Sequence, residues 1–346
     1  MERYGKKWPL MCTEFWDGWF SRWSEEIVRR EAEDLAQDVK EMLQLGSMNL
    51  FLLRGGTNFG FISGCSARKT KDLPQITSYD FDAPITEWGQ PTEKYYAVQR
   101  VTHEVFPELE QMEPISRQAK AYGSFPLLGT ANLLDVAADI TEEILLDYPQ
   151  PMEQIGQNYG YILYRSDIKN QYHEERLKAL ETHDRCHFYI NQEHLATQYR
   201  EEIGDEMLFS ADTKRIQIDV LVENMGRVNY GYKLGAPSQS KGVKGGIMIN
   251  HQFRKGWKHY ALKFDQEMLA KLDCYSAPPE RVKAPTFYRF EAELDDIADT
   301  FIDCSKYGKG CISVNGFNLG RYWNEGPIHY LYVPSGLLKE KNEFIV

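Results

Sequence analysis

The apolar pattern of this chain changes character once, near Phe106, and that change constrains the fold more than any other feature. Before it, strand-like and helix-like runs alternate. Trp8 to Thr13 is a short apolar run ending at Glu14, which suits a buried strand. Glu31 to Leu45 reads as a helix, with Leu35, Val39, Met42 and Leu43 on one face. Glu31, Glu33 and Asp34 favour its positive end, and Gly46 stops it. Met48 to Leu53 is a continuous apolar run before Gly55-Gly56, the pattern of a strand buried on both faces. A second helix is expected over Thr92 to Phe106, with Tyr95, Val98, Thr102 and Val105 along one side. Strand, helix, strand, helix in this order indicates parallel βα units.

Beyond Phe106 the helical period is lost. Residues 107–155 carry scattered prolines and weak periodicity, and read as a crossover between domains. From Tyr159 onward short alternating runs dominate: Tyr159 to Tyr164, His187 to Ile190, Arg215 to Val222, Phe287 to Phe290 and Cys311 to Val314. Ile216, Ile218, Val220 and Val222 alternate strictly, which predicts one buried face and one wet face. Asn315-Gly316 between Val314 and Phe317 is a strong hairpin signal. FYINQEHLATQYR and ISVNGFNLGRYW share a layout of strand, polar turn, strand and aromatic, an imperfect repeat that implies two related β modules.

Composition narrows the functional classes. Net charge is -11 with both signs interspersed, which disfavours nucleic acid or an anionic membrane as partner. No apolar run approaches the roughly 18 residues of a membrane span. The six cysteines have no metal-ligand spacing and read as small apolar fillers in a reducing compartment. No signal-peptide pattern follows Met1, where Glu2-Arg3-Tyr4-Gly5-Lys6-Lys7 is charged and polar. A cytoplasmic location is the expectation, with secretion left open if the N-terminus is not native. No metal or organic cofactor is expected, because H-E-x-x-H, P-loop and dinucleotide patterns are all missing.

Glu14 sits where an apolar strand gives way to a loop, beside Phe15, Trp16, Asp17, Gly18, Trp19, Phe20 and Trp23. Aromatic faces stack on the apolar faces of pyranose rings, and a carboxylate among them can attack or stabilise a cationic anomeric carbon. A buried glutamate paired with an arginine beneath packed rings is the competing reading, and composition alone favours it. Asp17 and Asp82 are expected to serve loop hydrogen bonding rather than chemistry.

The words themselves point further. TEFWDGWFSRW, FLLRGGTNFGF and LPQITSYDFDAPITEWGQPTEKY, in this order, closely resemble the last third of the catalytic barrel of family 35 β-galactosidases. IGQNYGYILYR, LVENMGRVNYG and VNGFNLGRYWNEGP extend the resemblance through the rest of the chain, with the bacterial type most similar. The resemblance implies a multidomain fold, α/β plus all-β. It would be the C-terminal end of a (β/α)8 TIM barrel followed by two β-sandwich domains, jelly-roll and galactose-binding-like. Residues 1–105 would close the barrel domain, 106–155 form the crossover, and 156–270 and 285–346 the two all-β domains, the second stopping within a strand.

The resemblance also implies retaining hydrolysis of terminal β-D-galactose residues, with Glu14 as nucleophile. Trp16, Trp19, Tyr79 and Phe81 would bind the sugar, and Tyr230 would lean in on the leaving-group side. Gly55-Gly56-Thr57 would let the sugar approach the backbone. The implied partner is a β-galactoside glycan, and a homodimer is among the expected assemblies. Phe81 and Phe51 each stand where the family usually has tyrosine, so two hydroxyls are missing. A barrel normally takes about 250 residues and only about a hundred precede the β modules. The family's N-E-[YN]-G acid/base motif is not in the sequence, and Asn324-Glu325 lies in a β module. Hence the expectation of a fragment with doubtful activity of its own. Its alternative function is that of a catalytically dead carbohydrate-binding β protein.

Overall fold

The structure, a computed structural model, describes residues 9–69, 71–274, 277–278 and 282–346. Trp8, where the first strand was expected to begin, and the Glu2 to Lys7 segment lie outside them. Strand β1 (Met11–Trp16) and strand β2 (Ser47–Phe51) pair in parallel, linked by helix α1 (Ala32–Leu45). Helix α1 buries Leu35, Ala36 and Val39 against Ala97 and Val101 of helix α2 (Glu93–Val105). The buried face of α2 is thus Lys94, Ala97 and Val101, one residue round from the expected Tyr95, Val98, Thr102, Val105 stripe. Lys94 is the cause: its ammonium is held by the Asp17 carbonyl at 2.8 Å, which draws that side of the helix inward.

The expected barrel is not found. Among the described residues, β1 and β2 form a two-stranded sheet with no third strand beside them. The chain then turns away into a hairpin of β3 (Gly64–Ala67) and β4 (Asp72–Pro74), and β3 pairs in parallel with Arg227–Tyr230 of the later all-β region. Cys65 and Ala67 bury their side chains against Val228 there, so these apolar residues find cover without a further barrel strand. Two parallel strands cannot close a barrel, which needs a full ring of tilted strands in matched register. The molecule is mostly β, with 22 strands and four α-helices among the described residues.

The all-β region is layered. A six-stranded sheet runs in the order Glu193–Tyr199, Arg185–Ile190, Arg215–Glu223, Tyr161–Lys169, Trp257–Leu262, Glu143–Leu146. Facing it is a four-stranded sheet of Met207–Phe209, Glu175–His183, Gly242–Ile249 and Gln252–Phe253. Between them Ile162, Tyr164, Phe188, Val220, Leu177 and Ile247 close a core. The Arg215–Glu223 strand is central, and its other side is not wet as the alternation implied. Leu221 packs with Leu134 and Ala137 of helix α3 (Leu133–Ile140), and Asp219 and Glu223 are buried as well.

Helix α3 lies within the stretch expected to be a plain crossover. That stretch also supplies Leu127–Asn132, which pairs with Thr286–Glu293, and Glu143–Leu146, which pairs with Trp257–Leu262. It therefore completes two sheets. The first of these, five-stranded, runs Phe317–Trp323, Lys309–Val314, Lys341–Ile345, Thr286–Glu293, Leu127–Asn132. The Asn315-Gly316 turn has φ of 52° and 82°, and Asn191-Gln192 in the related hairpin has 48° and 67°. Positive φ at both central positions matches the right-handed twist of the strands. The two hairpins end in Tyr199 and Trp323, whose rings meet edge to face at 5.7 Å.

Candidate active site

Glu14 lies in the C-terminal half of β1, within an irregularity in its pairing with β2 between Cys12 and Phe15. It is exposed, and its Oε2 accepts a hydrogen bond from the Trp16 indole at 3.3 Å. Among the described residues it has no arginine or lysine partner, so the picture of a buried, ion-paired glutamate does not describe it. Trp16, 51% exposed, meets Trp19 edge to face at 5.1 Å. Trp19 stacks on Phe20 at 5.2 Å, and Phe20 on Tyr79 at 6.1 Å with 12° between planes. Glu14, Trp16, Trp19 and Tyr79 are thus brought together, and Phe20 belongs with them although its sequence position carried no distinguishing signal.

Phe81 lies underneath. It is 3% exposed and touches Trp19, Tyr79 and Phe51, the last edge to face at 5.8 Å. In this structure it supports the cluster from below and offers no open surface to a sugar. The two positions where tyrosine hydroxyls are missing therefore face each other. Tyr230 is 73% exposed, and no ring contact joins it to the cluster among the described residues.

The loop carrying Tyr79 and Phe81 is held by close backbone approach. A Cβ at Gly18 would stand 1.8 Å from the Phe81 carbonyl oxygen, and one at Gly55 would stand 1.8 Å from that of Tyr79. The missing side chain of Gly55 thus makes room for the loop, whereas Gly56 faces open space. Phe81 and Asp82 both have positive φ, at 69° and 56°, and Asp82 is clasped from several sides. Its carboxylate accepts from the Arg30 backbone N–H at 2.9 Å and pairs with Lys94 and Arg29. Lys94 spans Asp82 and Asp17, a role its helix position did not announce.

Three further carboxyls lie in or against this loop. Asp17 is fully buried, with Oδ1 accepting from the Leu52 N–H at 3.1 Å and Oδ2 unpartnered among the described residues. Burial pushes its pKa up to about 6. Glu87 accepts from the Thr57 hydroxyl at 3.1 Å, and burial raises it to about 7. Asp80 is raised by burial too, although its carboxylate accepts from the Glu87 N–H at 2.9 Å. All three are tied to backbone or neighbouring side chains below the rings. Glu14 is the carboxyl left facing outward beside the indoles.

Residues 1–105 match the family model for glycosyl hydrolases family 35. Residues 149–263 match the first all-beta domain of beta-galactosidase, and 285–343 its galactose-binding domain. The chain belongs to glycosyl hydrolase family 35. Among curated family 35 relatives it is similar to "Beta-galactosidase 1" of Dictyostelium discoideum, at 30% identity over 98% of this chain and 55% of the relative. "Beta-galactosidase 17" of Arabidopsis thaliana is 31% identical over 98% of this chain and 53% of the relative. "Beta-galactosidase" of Xanthomonas manihotis is 33% identical over 94% and 53%. The chain spans about half the length of the curated relatives it matches.

Proposed function

We propose that this family 35 chain serves the retaining hydrolysis of terminal β-D-galactose residues, with Glu14 as nucleophile. The single observation that carries the reading is the placement of Glu14. It is an exposed carboxylate within the C-terminal half of β1, bonded to an indole and bordered by packed rings, in a chain whose relatives are named beta-galactosidases. In this mechanism a Glu14 oxygen attacks the anomeric carbon as the bond to the leaving oxygen breaks. The leaving oxygen takes a proton from a second carboxyl about 5–5.5 Å from the first. Water then releases galactose and returns the carboxylate.

Trp16 and Trp19 border the sugar in this reading, with Tyr79 next to them and Tyr230 toward the leaving group. Phe81 is a support, not a contact. The partner is a β-galactoside glycan. The competing idea of an inert carbohydrate-binding β protein has no specific observation in its favour. The carboxyls nearest the rings, Asp17, Asp80 and Glu87, are held in loop contacts, and none is recorded in contact with Glu14 among the described residues. This chain is therefore expected to act on galactosides whose leaving group needs no proton. General acid assistance is typically worth about 10²–10⁴-fold. The test is turnover of 2,4-dinitrophenyl β-galactoside by the chain and its Glu14→Gln variant. The variant should lose it, and azide should restore it to Glu14→Ala as a galactosyl azide of inverted configuration. Near-normal turnover by Glu14→Gln would remove Glu14 from the role.

A further inference from the structure

A cavity of about 630 Å³ opens between the six-stranded and five-stranded sheets and shares no residue with the Glu14 cluster. Its wall is aromatic: Phe264 and Phe287 meet edge to face at 5.6 Å, with Tyr189 and Tyr322 also lining it. Its polar groups come from several strands of both sheets. Glu223, fully buried, accepts from Lys309 Nζ at 2.7 Å and from Arg321 Nε at 3.1 Å. One carboxylate thus answers two buried cations. Arg185 adds a third positive group to the same wall and, among the described residues, has no carboxylate within ion-pair distance. Its recorded hydrogen bond goes to His187, which burial and the neighbouring guanidinium keep neutral by pushing its pKa down to about 3. Lys283 and Glu193 at the same cavity pair with each other at 2.5 Å and cancel.

Three cations gather around one buried carboxylate, Lys309 and Arg321 with largely buried side chains and Arg185 from a half-buried position, which leaves two positive charges in excess. Such a surplus is costly unless an anion answers it. Arg185 and Lys309 both line the cavity, and they stand 5.5 Å and 4.9 Å from the centroid of the same Trp323 ring. The volume suits a small ligand with one or two rings. A planar guanidinium is shaped for a carboxylate, and aromatic faces suit the C–H faces of a pyranose. We propose that this cavity is a non-catalytic binding site for an acidic monosaccharide unit, a hexuronate. Its carboxylate is taken by Arg185 and Lys309, and its ring lies against the aromatic wall.

Calorimetric titration of the chain with galacturonate, methyl β-galactoside and acetate tests this. Galacturonate should bind saturably, and the neutral galactoside and the ringless acetate each at least about tenfold more weakly. Arg185→Gln should weaken galacturonate about tenfold or more, and Arg185→Lys, which keeps the charge but loses the fork, by less. Glu14→Gln should bind galacturonate unchanged, which separates this site from the Glu14 cluster. Thermal melts of each variant establish that it is folded. Should Arg185→Gln not fold, the milder Arg185→Lys carries the comparison. The proposal is overturned by no saturable galacturonate binding, by equal binding of the galactoside or acetate, or by unchanged affinity in the folded Arg185 variants.

Discussion

Gly18 and Gly55 decide how closely the ring-bearing loop can settle on β1 and β2. At either position a methyl group would strike backbone, not a flexible side chain, so the loop must move. Gly18→Ala should cost at least about 1–3 kcal/mol in urea unfolding, the usual range for overpacking, and should also disturb the Trp19 and Phe81 contact. A melt indistinguishable from wild type would mean the loop is loosely held. Phe81→Tyr makes the opposite point. It restores the ring the family usually has, but places a hydroxyl where the ring is 3% exposed among other rings. A buried hydroxyl without a partner costs about 1–3 kcal/mol, so this variant should be less stable with no gain in galactoside turnover. Asp17 carries a pH signature. Burial lifts its carboxyl from the ordinary 3.8 to about 6, so the folded chain keeps a proton that the unfolded chain releases. Its stabilising contribution is fully present below about pH 4 and lost as pH rises through about 6. Asp17→Asn lacks this loss, so its stability relative to wild type should rise between about pH 4 and pH 7, by about 1–3 kcal/mol. A flat difference across that range would contradict the assignment.

At the scale of elements, what could be read in the sequence followed the physics of pattern. The spans of α1, α2, the Arg215–Glu223 strand and the Asn315-Gly316 hairpin all follow from local spacing and turn chemistry, which need only neighbours. The buried face of α2 did not, because Lys94 counts as polar in any periodicity, while here its ammonium is answered by Asp82 and the Asp17 carbonyl. The barrel expectation failed for a similar reason. Apolar runs over β1 and β2 announce buried strands, but which strands lie beside them is a long-range matter, and β3 pairs with Arg227–Tyr230 instead. Residues 107–155 looked unpatterned because their two strands are sheet edges, where each residue pairs on one side only. Of the candidate site, the cluster of Glu14, Trp16 and Trp19 was legible because those residues are adjacent. The burial of Phe81 and the exposure of Tyr230 depend on backbone turns that no local pattern specifies. Leu134→Ala measures how far α3 belongs to the fold. Leu134 is fully buried, so the substitution should cost about 2–5 kcal/mol. A cost below that range would return the stretch to the status of a linker.

Across the whole molecule, the β sheets are joined by the buried group of Glu223, Lys309 and Arg321, which links the six-stranded sheet to the five-stranded one. Glu223→Gln would leave two buried cations without a counter-charge, and removing one partner of a buried pair typically costs about 3–5 kcal/mol. Uncoupled melting of the two sheet systems, or a single transition at much lower temperature, is the expected readout. An unchanged melt would show that the charges are solvated. The Glu14 cluster stands on the two-stranded β1–β2 sheet, and the reading of the molecule as a glycosidase rests on that one carboxylate taking up a galactosyl group. The most direct test is trapping with 2,4-dinitrophenyl 2-deoxy-2-fluoro-β-galactoside, followed by peptide mapping by mass spectrometry. Its leaving group departs without a proton, and the fluorine slows release of the covalent intermediate. The account predicts one fluorodeoxygalactosyl group on the peptide containing Glu14, and none in the Glu14→Gln variant. A label on another carboxyl, or equal labelling of the variant, would contradict it.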